Sequence, residues 1–212
     1  LSKLGASPEK CHMNEGHSAL LGLELYKGDL EDVRKRCVFT THTPVAAGHD
    51  SFDKGMAEKM LGNLIPRGIK GKVLKDNKLN MTHLALMFSG HINGVAKKHT
   101  EISKEMFPGY KIESITNGVH SGYWTSQHFK RLYKKYIPNW EDDPNGLRAA
   151  LSIPNEKIWD AHRKAKKDLI SYVNKKYSVG MKENIFTIGF ARRAATYKRG
   201  NLLLSRPEKL RE

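Results

Sequence analysis

Short apolar runs along the chain alternate with longer segments in which apolar residues recur every three or four positions. The short runs are rich in β-branched and aromatic residues, and we predict strands at 38–41, 92–96, 111–116 and 184–190. The periodic segments predict helices at 18–26, 53–64, 79–93, 99–107 and 202–210. Because strands alternate with helices, the pattern predicts an α/β fold with parallel sheets.

The pattern becomes mainly helical between residues 122 and 180. A long amphipathic helix is predicted here, with lysines on its polar face and Pro154 near its start, where proline costs least. Its apolar face is predicted to contain Ile158, His162, Ala165, Leu169 and Val173. The tryptophans are predicted to be core residues, at Trp124, Trp140 and Trp159.

Polar residues follow several predicted strands directly. His42 follows the first strand, Asn117 follows the third, and Arg192 follows the fourth. Ligands of open α/β sheets bind outside the carboxyl ends of the strands, so these positions predict a binding site. His42 could contact a sugar hydroxyl or act in acid/base chemistry, or it could simply bond a backbone carbonyl. Asn117 could likewise bind a hydroxyl or form a plain Asn-Gly turn.

The stretch HMNEGH, at residues 12–17, has the residue types of a metal site but not the spacing. Metalloprotease histidines stand four residues apart on one helical face, whereas His12 and His17 are five apart with a glycine between them. We therefore predict no metal here. The remaining interpretations are a structural turn and a contact with a hydroxyl-rich ligand.

The stretch FARRAATYKR, Phe190 to Arg199, is called the cationic segment below. It carries Arg192, Arg193, Lys198 and Arg199 after an apolar run. Two unit charges about 4 Å apart repel by roughly 4 kcal/mol at an effective dielectric of 20, so the cluster needs an anion, acidic neighbours or solvent. A strand, a cationic turn and a helix in this order predict a phosphate site, with a basic surface loop as the alternative. Neither the Walker pattern nor GxGxxG is present.

Composition narrows the class of protein. The 212 residues include 37 Lys and Arg against 22 Asp and Glu, a net charge of +15 that favours anionic partners or a lysine-rich solvated surface. Aromatic residues make up 8% and do not interleave with the basic runs, which does not favour nucleic acid. No apolar segment is long enough to predict a membrane helix. Two cysteines without a zinc-type spacing or a disulfide framework fit a cytoplasmic protein.

Five stretches occur in the order seen in α-glucan phosphorylases, and together they resemble the shorter bacterial and archaeal branch of that family. They are HMNEGHSALLGLEL, FTTHTPVAAGHD, LNMTHLALMFSGHINGVAKKHTEISKEMF, ITNGVH and TIGFARRAATYKRGNLLL. The resemblance implies a GT-B-type glycosyltransferase fold, in which two Rossmann-like domains enclose a cleft. It also implies that inorganic phosphate cleaves the non-reducing ends of α-1,4-glucans and releases glucose 1-phosphate.

The resemblance also implies which residues bind the sugars. His42 would be catalytic, because it matches a histidine that contacts the hydroxymethyl group of the reacting glucose and whose carbonyl faces the developing positive charge. Asn117 matches an asparagine that holds the same hydroxyl. Glu15 and His17 match residues beside the acceptor sugar.

The phosphate-binding residues implied by the resemblance lie in the cationic segment. Arg193 and Lys198 match catalytic cations that bind the substrate and cofactor phosphates, and Arg192 and Tyr197 line the same site. The implied cofactor is pyridoxal phosphate, held as a Schiff base by a lysine expected beyond residue 212. We therefore expect a central fragment that has no phosphorylase activity alone.

The implied organisation has three parts. Residues 1–122 would close the first Rossmann-like domain, 123–183 would form a helical connection, and 184–212 would begin the second domain, which binds cofactor and phosphate. A homodimer is a further expectation from the family. Two alternatives stay open, namely a nucleotide-sugar-dependent glucan synthase of the same GT-B architecture and a basic nucleic-acid-binding module.

Overall fold

The computed structural model describes residues 2–211 and divides the chain into two compact units, with the division after Gly118. The described strands all lie in the first unit and are β1 (Cys11–Asn14), β2 (Cys37–Thr41), β3 (Ser51–Asp53), β4 (Leu74–Lys75), β5 (Lys78–Asn80), β6 (His91–Gly94) and β7 (Glu113–Ser114). They form a parallel sheet of order β1-β2-β6-β7 and an antiparallel sheet of order β3-β5-β4. The predicted α/β class with a parallel sheet is thus confirmed.

The helices of the first unit are α1 (Leu20–Leu25), α2 (Leu30–Arg36), α3 (Lys54–Leu61), α4 (Lys70–Val73), α5 (Met81–Phe88) and α6 (Lys97–Met106). Those of the second unit are α7 (Ser121–Trp124), α8 (Gln127–Tyr136), α9 (Asn155–Tyr177) and α10 (Pro207–Arg211). No helix within residues 2–211 is both long enough and apolar enough to cross a membrane.

Helix α5 is the centre of the first unit's core. It is buried on every face except at His83, which follows from its almost wholly apolar sequence. Phe88 at its end and Phe39 in β2 are both 0% exposed. A Cβ at Gly22 would lie 2.3 Å from the Phe88 ring, so α1 packs on this ring only because it carries a glycine there.

The second unit has a smaller core, formed where α8 and α9 pack together. Trp140 is buried in it as predicted, but Trp124 and Trp159 are 75% and 60% exposed, so their assignment to the core was wrong. The buried positions of α9 are Ala161 and Ile170.

The apolar face predicted for α9 was wrong at two positions, because His162 and Leu169 are exposed. His162 follows the buried Ala161 and Leu169 precedes the buried Ile170, and at about 100° per residue these two buried positions lie about 180° apart around the helix. The helix is therefore not buried along one single face. Ile158, Ala165 and Val173 are half-buried.

The predicted strand at 184–190 is absent from the described residues, which have no regular structure there. Phe186 is 86% exposed. An extended segment becomes a strand only when another strand satisfies its backbone groups, and no described residue pairs with it. The helix predicted at 202–210 is split into a 3-10 turn, Leu202–Leu204, and α10, because the residue before Pro207 is disfavoured in a helix.

Candidate functional site

The carboxyl ends of the parallel strands meet at one edge of the first unit's sheet, called the carboxyl edge below. Asn14 ends β1, His42 follows β2, and Asn117 lies three residues after β7. All three positions therefore occur where ligands of open α/β sheets bind. Asn93, near the end of the central strand β6, is buried.

Glu15 organises the carboxyl edge through both of its carboxylate oxygens. Its Oε2 accepts hydrogen bonds from the His42 backbone N–H at 2.8 Å and from the Thr43 hydroxyl at 3.3 Å, and its Oε1 accepts from the Gly16 N–H at 3.3 Å. The Glu15 backbone has φ 69° and ψ 166°, a conformation that residues other than glycine seldom adopt. The carboxylate thus ties the end of β1 to the loop after β2.

Asn14 holds the His42 ring, because its Oδ1 is hydrogen-bonded to the ring Nε2. An amide oxygen can only accept, so Nε2 carries the proton, and Nδ1 of the neutral ring is left as an acceptor. Sequence reasoning missed Asn14. The only signal for it was its place at the end of a strand, next to Glu15.

A chain of side chains supports the carboxyl edge across three strands. The Thr40 hydroxyl donates to Asn93 Oδ1 at 2.9 Å and lies 2.7 Å from His12 Nε2, which is therefore the donor to Thr40. Asn93 thus has a structural role in the sheet. His12 thus bonds to the neighbouring strand, and it lies in β1 rather than in a turn.

His17 is exposed in a short 3-10 turn, Gly16–Ser18, that follows Glu15. A Cβ at Gly16 would lie 3.0 Å from the Thr82 hydroxyl, so this turn packs closely on the start of α5. The same hydroxyl is 2.8 Å from His49 Nδ1. Burial lowers the pKa of His49, and the nearby Glu15 carboxylate offsets part of this effect.

Asn117 is exposed and is fixed by its backbone. Its N–H donates to the carbonyl of Val95 at 3.0 Å, and Ile115 donates in the same way to Gly94 at 3.0 Å. These bonds continue the pairing beyond the ends of β6 and β7. The carboxamide of Asn117 makes no hydrogen bond to the residues that the structure describes, which leaves it available to a ligand.

The cationic segment lies in the second unit and is exposed, with Lys198 only half-buried. Lys198 Nζ stands 4.5 Å from the centre of the Tyr197 ring, a cation–π contact. Within residues 2–211 no carboxylate lies within salt-bridge distance of Arg192, Arg193 or Lys198.

Lys198 lies before the helix predicted at 202–210, and no regular α-helix of residues 2–211 begins directly after it. It ends a 3-10 turn, and Arg199 follows with φ 51°, in the left-handed region. The segment therefore has no helix N-terminus that could help to bind an anion, and its positive charge comes from side chains alone. Within the described part of the chain, no group of three or more metal-ligating side chains comes together.

Comparison with known proteins gives consistent matches. The family model described as carbohydrate phosphorylase matches residues 34–205. The chain is 35% identical to the maltodextrin phosphorylase of Thermococcus litoralis and 28% identical to the glycogen phosphorylase of Aquifex aeolicus, and both alignments cover 100% of it. It is also 28% identical, over 97% of its length, to a glycogen phosphorylase of Mycobacterium tuberculosis.

The chain spans only part of these relatives, namely 30% of the Thermococcus protein, 37% of the Aquifex protein and 30% of the Mycobacterium protein. The relatives favour neither the nucleotide-sugar synthase nor the nucleic-acid-binding alternative.

Proposed function

Because the chain belongs to the carbohydrate phosphorylase family, we propose that it is part of an enzyme that cleaves α-1,4-glucans with inorganic phosphate. The glucose at the non-reducing end is transferred to phosphate, which yields glucose 1-phosphate and a glucan that is one unit shorter. The observation that carries the proposal is the carboxyl edge, where Asn14 and Glu15 hold His42 in a fixed orientation.

His42 acts on the reacting glucose in this proposal. Its Nε2 is engaged by Asn14, so Nδ1 accepts a hydrogen bond from the hydroxymethyl group of the sugar. The backbone carbonyl of His42 stabilises the positive charge that develops at the anomeric carbon, since a fixed dipole near developing charge lowers the barrier. The carboxamide of Asn117 binds the same hydroxymethyl group.

Glu15 and His17 contribute to the acceptor side of the site. His17 is exposed and donates to or accepts from a sugar hydroxyl, whereas the carboxylate of Glu15 acts through the loop that it holds. Neutralising Glu15 would therefore disturb His42 as well as the acceptor sugar.

The cationic segment binds the phosphate groups. Arg193 and Lys198 hold the substrate phosphate and the phosphate of pyridoxal phosphate, with Arg192 and Tyr197 beside them. An arginine forms two parallel hydrogen bonds with a phosphate and a lysine adds a point charge. These cations have no carboxylate partner among residues 2–211. This supports the fit, because their side chains are available to form ion pairs with a phosphate. When bound, the cofactor supplies a phosphate group that donates a proton to the substrate phosphate.

We further propose that the complete protein has the GT-B architecture and is a cytoplasmic homodimer. Residues 1–122 then close the first Rossmann-like domain, 123–183 form the helical connection, and 184–212 begin the second domain. The parallel sheet of the first unit supports the first assignment.

The test is a phosphorolysis assay of the full-length protein, reconstituted with pyridoxal phosphate and supplied with maltodextrin and inorganic phosphate. We expect glucose 1-phosphate to form only when phosphate is present. A parallel reaction with a nucleotide sugar and maltodextrin measures glucan synthesis. Glucan extension from the nucleotide sugar, without release of glucose 1-phosphate in the first reaction, would overturn the proposal.

A further inference from the structure

The central strand β6 ends at a close approach between the sheet and α6. A Cβ at Gly94 would lie 2.6 Å from His99 Nδ1 and 2.6 Å from the Thr100 hydroxyl. The His99 ring thus occupies the space that a side chain at position 94 would take. Only glycine allows α6 to bring this ring directly onto the end of the strand.

Thr41, the last residue of β2, faces the same side of the sheet as this ring. Thr41 and Gly94 are register partners of a parallel pair, and partners in register direct their side chains to the same face. Because the His99 ring covers Gly94 on that face, it lies beside the Thr41 side chain. The next residue in the chain after Thr41 is His42.

Two polar atoms at this place are buried without a hydrogen bond. Among the residues that the structure describes, Thr41 Oγ1 and His99 Nε2 are the buried side-chain nitrogen and oxygen atoms that lack a partner. Thr41 is 0% exposed and His99 is 8% exposed. Buried polar groups without partners are costly, and each one in a folded protein calls for an explanation.

The surroundings of the His99 ring indicate what it faces. Burial lowers the pKa of His99, which keeps the ring neutral near neutral pH, whereas the Glu15 carboxylate and the backbone carbonyl of His42 act in the opposite direction. The ring therefore lies close to the His42 carbonyl, although Nε2 makes no hydrogen bond of normal geometry. The other nitrogen, Nδ1, has a weak contact of 3.4 Å with the Ser103 hydroxyl.

We propose that His99 is a positioning residue, whose ring N–H donates a hydrogen bond to the carbonyl of His42 and so fixes the peptide that joins His42 to Thr43. A neutral ring nitrogen that faces a carbonyl can only donate, so the contact requires the proton on that nitrogen. Asn14 fixes the side chain of His42 and Glu15 fixes its N–H. His99 supplies the third constraint, on the backbone carbonyl of the residue.

The expected effect of His99 on kinetics rests on the proposed function. The expected contact between His99 and the His42 carbonyl does not. If the His42 carbonyl faces the reacting glucose, its position affects the transition state more than the bound substrate. Loss of the constraint then lowers kcat and leaves the KM for phosphate nearly unchanged.

The experiment compares His99→Leu with His99→Gln in the full-length protein. Leucine removes the donor, whereas the glutamine amide can place an N–H near the position of the ring nitrogen. Two measurements are made on each variant: steady-state phosphorolysis, and hydrogen exchange by mass spectrometry of the peptide that contains His42. We expect His99→Leu to lower kcat by about 10- to 100-fold, as for other small displacements in an active site, and to speed exchange at His42 and Thr43. His99→Gln should stay within a few-fold of the wild type in both.

Equal losses in the two variants, or unchanged exchange around His42 in His99→Leu, would overturn the positioning role. If His99→Leu does not fold, His99→Gln decides alone, since a folded glutamine variant with a large loss of kcat contradicts the proposal. If the wild type shows no phosphorolysis, the proposed function fails, and the exchange measurement still tests the contact.

Discussion

The carboxyl edge of the parallel sheet and the cationic segment are both rich in polar side chains, but only the carboxyl edge is held by its own neighbours. At the edge, polar groups at the end of one strand are bonded to groups that follow its neighbour, as in the bonds that His42 makes with Asn14 and Glu15. The cationic segment has an irregular backbone and exposed side chains, and Arg192 and Arg193 have no carboxylate partner within residues 2–211.

The two regions become ordered in different ways. Hydrogen bonds across the strands orient the edge before any ligand arrives, which is the preorganisation that catalysis requires. In the cationic segment, water solvates the charges, and an anion is the partner that their chemistry favours. The carboxyl edge is thus specified by the sheet, and the cationic segment by charge.

The largest expected difference between the two regions is in stability. Phe39→Ala in β2 should lower the free energy of unfolding of the 212-residue chain by about 3–5 kcal/mol, because the side chain is 0% exposed and leaves a cavity. Phe186→Ala, six residues before Arg192, should change it by less than about 0.5 kcal/mol, because Phe186 is 86% exposed. Urea unfolding followed by circular dichroism measures both. Similar losses for the two variants would show that the segment before the cations is packed after all.

Arg193→Ala tests whether the charge of the cationic segment serves a phosphate. In the full-length protein we expect kcat/KM for phosphate to fall by about 10²- to 10³-fold, the loss typical for a donor that stabilises transition-state charge. The matched control is Lys182→Ala, an exposed cation of the same unit that lies outside the segment. A loss of the same size in the control would assign the effect to net charge rather than to a site.

Glu15→Gln tests the preorganisation of the carboxyl edge. The variant keeps the size of the side chain but removes the charge that accepts the N–H of His42, and hydrogen bonds to charged groups contribute about 1.5–3 kcal/mol. We expect a loss of unfolding free energy in this range, measured by urea unfolding. Glu24→Gln, on the exposed side of α1, should have no measurable effect. Equal stabilities of Glu15→Gln and the wild type would mean that the edge is held by the backbone alone.

The smallest expected effect is a pH dependence confined to the first unit. Burial is the main cause that lowers the pKa of His49, His83 and His99 in the folded chain. At a pH below the histidine pKa of the unfolded chain, the unfolded chain therefore binds more protons than the folded chain. Stability should therefore be full above about pH 6.5 and should decrease as the pH falls below it. Unfolding free energies measured on both sides of this pH should show a shallower decrease in the double variant His49→Gln/His83→Gln. An unchanged decrease would place the titrating groups elsewhere.

Much of the first unit could be predicted from the sequence, because its local patterns agree with its tertiary contacts. The run at 38–41 lies within β2, the run at 92–96 overlaps β6, and α5 lies in the segment predicted to be helical. The run at 184–190 has the same kind of composition but is not a strand, since pairing is a property of two segments and not of one. Similarly, periodicity predicted α9, but which of its positions are buried depends on what packs against the helix.

The candidate site was predictable where it depends on strand ends and not where it depends on register. His42 and Asn117 follow predicted strands, and the structure places both at the carboxyl edge. Asn14 and His99 were missed, because their contacts with His42 arise from the pairing of β1 with β2 and the packing of α6 on β6. No pattern within either segment contains that information.

Helix α5 has a consequence for how the first unit can change over evolutionary time. Seven of its eight residues are buried, and only His83 is exposed. A buried polar side chain without a partner is strongly disfavoured, so a new polar side chain is selected against at each of these seven positions. In a library of single substitutions, polar replacements should survive at position 83 and be depleted at the other seven. Helix α5 then has little freedom to vary, although none of the proposed site residues belongs to it.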